Sequence, residues 1–126
     1  MLKKMATLFG WVLLVVGILG FIPGITADEH LLGIFHVNLL HNLVHIISGL
    51  AALYLAGKGE DSSRMFFQVF GVIYALVAIL GFFSGDEPVL GLLSNNMADT
   101  WLHVVIAVVS LYLGFGSKKE GAMQAA

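Results

Sequence analysis

Ile18-Leu19-Gly20-Phe21 returns 61 positions later as Ile79-Leu80-Gly81-Phe82, and Phe9-Gly10 returns at the same offset as Phe70-Gly71. Gly24 falls on Gly85 in the same register. A three-residue difference in loop length then changes the offset to 58. Leu32-Gly33 matches Leu90-Gly91, Asn38 matches Asn96, His45 matches His103, and Leu53-Tyr54-Leu55 matches Leu111-Tyr112-Leu113. Identities that stay in order through two successive segments indicate a duplicated unit. The first repeat covers residues 4–58 and the second covers 64–118, inside one domain of residues 1–120.

Each unit contains two apolar runs. The four runs cover about Met5–Ile22, Val37–Ala56, Met65–Phe83 and Met97–Phe115. A helix needs roughly 20 residues, and at least about 17, to cross the hydrocarbon core of a bilayer. All four runs qualify, and without strict alternation they do not read as barrel strands. Composition agrees: the chain is 59% hydrophobic and only 11% charged, against about 25% charged in a soluble domain. The polar breaks are short, and short connections make neighbouring helices antiparallel. The expected fold is therefore all-α: a transmembrane four-helix bundle, up-down-up-down, built from two tandem helical-hairpin repeats. Residues 121–126 are expected to form a frayed tail. The first run, preceded by Lys3 and Lys4, has the outline of a secretory leader. As the repeat partner of an interior helix, it is expected to be retained.

The basic residues orient the bundle. Lys3, Lys4, Lys58, Arg64, Lys118 and Lys119 lie at the two termini or in the middle connection, whereas the other two connections carry Asp28, Glu29, Asp86 and Glu87. The positive-inside rule then places both termini in the cytoplasm of a prokaryotic plasma-membrane protein. The partner implied is the lipid bilayer. A net charge of −2 gives no reason to expect nucleic acid. A homo-oligomer or a larger membrane complex is compatible with the sequence. The absence of cysteine excludes disulfides and thiolate metal sites.

Small residues recur at helical spacing. Gly10, Gly17, Gly20 and Gly24 lie in the first run, and Gly71, Ala75, Ala78, Gly81 and Gly85 in the third. Such stripes let helix backbones approach closely in lipid. In the second run His41 and His45 continue into Gly49, Ala52 and Ala56. In the fourth, Asp99 and His103 continue into Ala107, Ser110 and Gly114. A spacing of four puts each polar pair on one helix face, and the repeat puts both pairs at one depth, near the outer helix ends. Three imidazoles and a carboxylate then converge. That donor set suits a divalent transition metal, most simply tetrahedral zinc, bound by His41, His45, Asp99 and His103. Asn38, Asn42, Asn96 and Thr100 are placed to orient the ligands. His36, five positions before His41, would point elsewhere on a continuous helix, and His30 reads as a solvated loop residue.

Plainer readings stay open. Asp99 suits the start of the fourth helix as a cap, and the histidines suit a metal-free polar cluster in a non-catalytic scaffold or subunit. His45 and His103, on different helices, also suit a bis-imidazole haem in a small electron carrier. Trp11, Tyr54, Trp101 and Tyr112 read as interfacial aromatics or packing. No nucleotide-binding glycine pattern or serine nucleophile elbow is present, so the sequence names no reaction.

The stretch Leu32-Gly33-Ile34-Phe35-His36-Val37-Asn38-Leu39-Leu40-His41-Asn42-Leu43-Val44-His45, followed by Gly49, resembles domain-of-unknown-function family 4383, small four-span membrane proteins of bacteria. The likeness runs from about Met5 to Phe115, and the His-Asn-x-x-His segment is its most specific part. It implies the four-span topology and brings no activity with it.

Overall fold

The structure, a computed structural model, describes residues 1–116. The expected frayed tail at 121–126 and the final residues of the second repeat lie outside that range. Among the described residues there are four α-helices: α1 (Leu2–Leu19), α2 (Leu39–Lys58), α3 (Glu60–Ser84) and α4 (Met97–Leu111). The last continues through a π-helical turn, Tyr112–Gly116. Each helix, α4 with its π turn, is long and apolar enough to cross a membrane. The chain is a multi-pass membrane protein of the all-α bundle class. Lipid as solvent explains the many large apolar side chains left on the outside, such as Leu76, Ile79, Val105 and Val108.

The extensive contacts are α1 along α2 and α3 along α4, with lesser contacts between α2 and α3 and between α1 and α3. The small residues explain the closeness within each hairpin. A Cβ on Gly49 would stand 2.7 Å from the Gly10 carbonyl oxygen, and one on Gly71 would stand 2.8 Å from the Leu111 side chain. Gly20 is filled by the Asn42 side chain, and its repeat partner Gly81 by Thr100. Gly24 has no such neighbour and is exposed, so the first stripe ends at Gly20.

One end of the bundle, the base, holds the N-terminus and the α2–α3 connection. The polar stretch Gly57–Ser62, which reads as a turn, is almost entirely helical. Gly59 alone separates α2 from α3, at a φ of +122° that a side chain would strain. Leu2, Ala6, Ala52, Ala56, Phe66, Phe67 and Leu113 form an apolar core here. Glu60, at the start of α3, also closes the start of α1. Its carboxylate accepts from the backbone N–H groups of Leu2 and Lys3, both at 3.0 Å, and pairs with the terminal ammonium at 3.1 Å. Those donors otherwise have no acceptor in a first turn.

The other end, the crown, carries the α1–α2 and α3–α4 connections. The first contains a feature that hydropathy does not show, a small antiparallel meander of β1 (Thr26–Ala27), β2 (His30–Leu31) and β3 (Phe35–His36). Its first turn has positive φ at Asp28 and Glu29, the requirement of a tight hairpin turn. The two connections share the details of the repeat. Leu32 and Leu90 both have φ 54°, with Gly33 and Gly91 at 71° and 70°. They also clasp each other reciprocally: Asn38 Nδ2 donates to the Leu92 carbonyl at 3.1 Å, and Asn96 Nδ2 donates to that of Ile34 at 2.9 Å. Ile34 and Leu92 are equivalent positions, so the exchange is the one a twofold relation between hairpins requires.

Candidate metal centre

Two helix starts position the site. Asn38 caps α2 by accepting from the His41 N–H at 2.8 Å, and Asn96 caps α4 by accepting from the Asp99 N–H at 2.9 Å. Asparagine favours this position because its side chain supplies the acceptor that a first turn lacks. With both starts fixed, the helical repeat turns His41, His45 and His103 inward, with 4%, 6% and 5% of their surface exposed. His45 and His103 each lie six residues into their helices, about 9 Å along the axis.

The three imidazoles meet between the hairpins. Ring centroids are 4.8 Å apart for His41 and His45, 5.8 Å for His41 and His103, and 6.4 Å for His45 and His103. One nitrogen from each ring forms a set lying within 4.8 Å of one another. Tetrahedral zinc, with Zn–N near 2.0–2.1 Å, brings such atoms to about 3.4 Å.

Hydrogen bonding prepares the rings unequally. His41 Nδ1 lies 3.0 Å from the Ser94 carbonyl oxygen and 3.3 Å from its Oγ. A carbonyl only accepts, so Nδ1 carries the proton and Nε2 keeps its lone pair for a ligand role. His45 Nδ1 and His103 Nδ1 are buried with no hydrogen-bond partner. A buried polar atom left unpaired costs about 1–3 kcal/mol. Two such atoms lie in this one cluster, each able to take a partner from outside the chain.

Asp99 stands differently from its sequence expectation as a fourth converging donor. It is buried, and it lines a crevice of about 250 Å³ shared with the three histidines. Yet its Oδ2 accepts from the N–H of Asn96 and from that of His36, each at 3.1 Å. The first bond completes a capping box on α4, and the second ties the helix to β3 of the other hairpin. The group with metal-holding geometry contains the three histidines without Asp99. The reason is local: at the third position of a helix, a carboxylate reaches back to its own cap more easily than inward.

The flanking residues also differ from expectation. Asn38 and Asn96 serve as caps and clasps. Thr100 pairs with Asn95, its Oγ1 3.2 Å from Asn95 Nδ2, and Asn42 packs into the notch at Gly20. The group that orients an imidazole is Ser94, which the sequence reading passed over. Ser94 also donates its Oγ–H to the His36 carbonyl at 3.1 Å. Positions 36 and 94 are repeat equivalents, so His41 on Ser94 mirrors Asp99 on His36. That equivalence is the signal that could have found it. His36 stays outside the trio, but not through helical rotation, because β3 is extended and α2 begins only at Leu39. Its ring stacks on His30 at 4.9 Å, so His30 is more than a solvated loop residue. Two further polar residues, Ser48 and Tyr74, line a small cavity with the three histidines. Each replaces an apolar repeat equivalent, Ile106 and Leu13.

The fold and site define a small multi-pass membrane protein with a buried tri-histidine cluster. The family model described as Domain of unknown function (DUF4383) matches residues 3–116, and the chain belongs to that family. No curated protein matches the chain, and no solved structure matches it.

Proposed function

We propose that this protein binds one divalent transition metal ion, zinc by preference, through His41, His45 and His103, in a prokaryotic plasma membrane. The observation that carries the reading is the trio itself: three buried imidazoles with donor atoms within 4.8 Å, two of them with an orphaned nitrogen. Nitrogen donors in a compact, cysteine-free site favour zinc over the hard cations, which prefer oxygen. Three protein ligands with a fourth position open is the arrangement of reactive zinc sites, whereas four closed ligands mark structural ones. Asp99 then acts from the rim, holding α4 and β3 in place. The basic residues at the base orient that end toward the cytoplasm, which puts the metal beneath the outer surface.

Haem fits less well, since the His41 ring stands against both His45 and His103, where a porphyrin plane would have to pass. A metal-free packing cluster is the rival of a different class, and the orphaned nitrogens speak against it. Elemental analysis of the detergent-purified protein separates the readings. About one equivalent of metal per chain is expected, and His45→Ala is expected to abolish it. A metal-free protein that only melts earlier on His45→Ala would establish the packing role instead.

A further inference from the structure

We infer that the open coordination position takes a small anion and that Tyr74 donates a hydrogen bond to it; this rests on the metal reading above. One cavity beside the trio measures about 50 Å³ and is lined by the three histidines with Ser48, Tyr74, Ser94 and Asn95, the remaining wall being apolar. A single water needs about 10–15 Å³ on that measure. The space on the Tyr74 side of the trio therefore admits a species of a few heavy atoms, while the larger crevice of about 250 Å³ opens on the Asp99 side.

Charge decides what kind of species enters. Three neutral imidazoles do not reduce the charge of a bound dication, and the nearest carboxylate, Asp99, shares a crevice with the trio but commits its Oδ2 to the N–H groups of His36 and Asn96. In a buried, lipid-surrounded site that charge is costly unless an anion joins it. Tyr74 supplies the complementary donor. Its side chain is 5% exposed, its ring lies 5.4 Å from that of His103, and its buried Oη has the Ser48 hydroxyl as a neighbour but makes no hydrogen bond of full geometry with it. A phenol hydroxyl in contact with a metal-bound anion gains a charge-assisted bond, the stronger kind. The residue belongs to α3, which contributes none of the three histidines, so its presence at the cavity is not a by-product of ligand spacing.

The test uses the full chain in detergent, loaded with Co²⁺ in place of the native metal and titrated with azide. The wild type is expected to show visible cobalt bands that shift and saturate with azide. Tyr74→Phe is expected to keep the cobalt bands and weaken azide binding about tenfold or more, as loss of a hydrogen bond to a charged group predicts. Tyr74→Leu, carrying the residue found at the repeat-equivalent position, provides a second variant should the first fold poorly. Cobalt bands indifferent to azide, or azide affinity unchanged in both variants, would overturn the inference and leave the metal site standing. A wild type with no cobalt bands would overturn the metal reading and this inference with it.

Discussion

At the residue scale, His41 and Asp99 occupy equivalent positions of the repeat and do opposite things. His41 gives one nitrogen to Ser94 across the hairpin boundary and keeps the other for the centre. Asp99 commits Oδ2 to two backbone donors at the crown. The spacing of four in each pair was visible in the sequence, and it placed His41, His45 and His103 together. What spacing could not show is the competition for a carboxylate at the third position of a helix, where the cap lies nearer than the centre. Asp99→Ala separates the roles. It is expected to retain the metal while lowering stability by about 1–2 kcal/mol, the usual loss for a helix cap, as read by metal analysis alongside thermal melting. Loss of the metal with little change in melting would make Asp99 a ligand after all.

At the scale of elements, the helices pair through surfaces that small residues open. Gly49 faces the Gly10 carbonyl so closely that Gly49→Leu must push α1 and α2 apart. Overpacking of this kind costs about 1–3 kcal/mol. Gly24→Leu, with nothing within 4 Å of its Cβ, is the matched control. A lower melting temperature in detergent is expected for the first and little change for the second. Equal effects would mean that the stripe does not set the helix spacing. The helices and their pairing were legible because apolar runs and glycine spacing report directly on lipid burial and close approach. The crown was not. Its short strands depend on positive φ at Asp28, Glu29 and Leu32, and no hydropathy pattern carries that. The single-residue connection at Gly59 escaped for the opposite reason, since Glu60 and Asp61 look like loop yet suit the first turn of a helix.

At the scale of the whole molecule, each hairpin is held tightly within itself, and the two meet through three different devices. The base joins them by an apolar core and by Glu60 on the start of α1. The crown joins them by reciprocal bonds from Asn38 and Asn96. Between the two lies the histidine cluster, with two imidazoles from the first hairpin and one from the second, so an ion bound as proposed would tie α2 to α4 where the helices otherwise have little backbone contact. Binding to the folded state alone stabilises by about 2.7 kcal/mol when free metal stands at 100 times its dissociation constant. Removal of the metal with a chelator is therefore expected to lower the melting temperature and restoration of zinc to recover it, with His103→Ala indifferent to both. Hydrogen exchange locates the effect. Amides in the first turns of α2 and α4 are expected to exchange faster in the chelated protein, while those around Leu2, Ala56 and Phe67 at the base keep their protection. Acceleration spread evenly over all four helices would show that the ion supports the fold as a whole and not the seam between its halves.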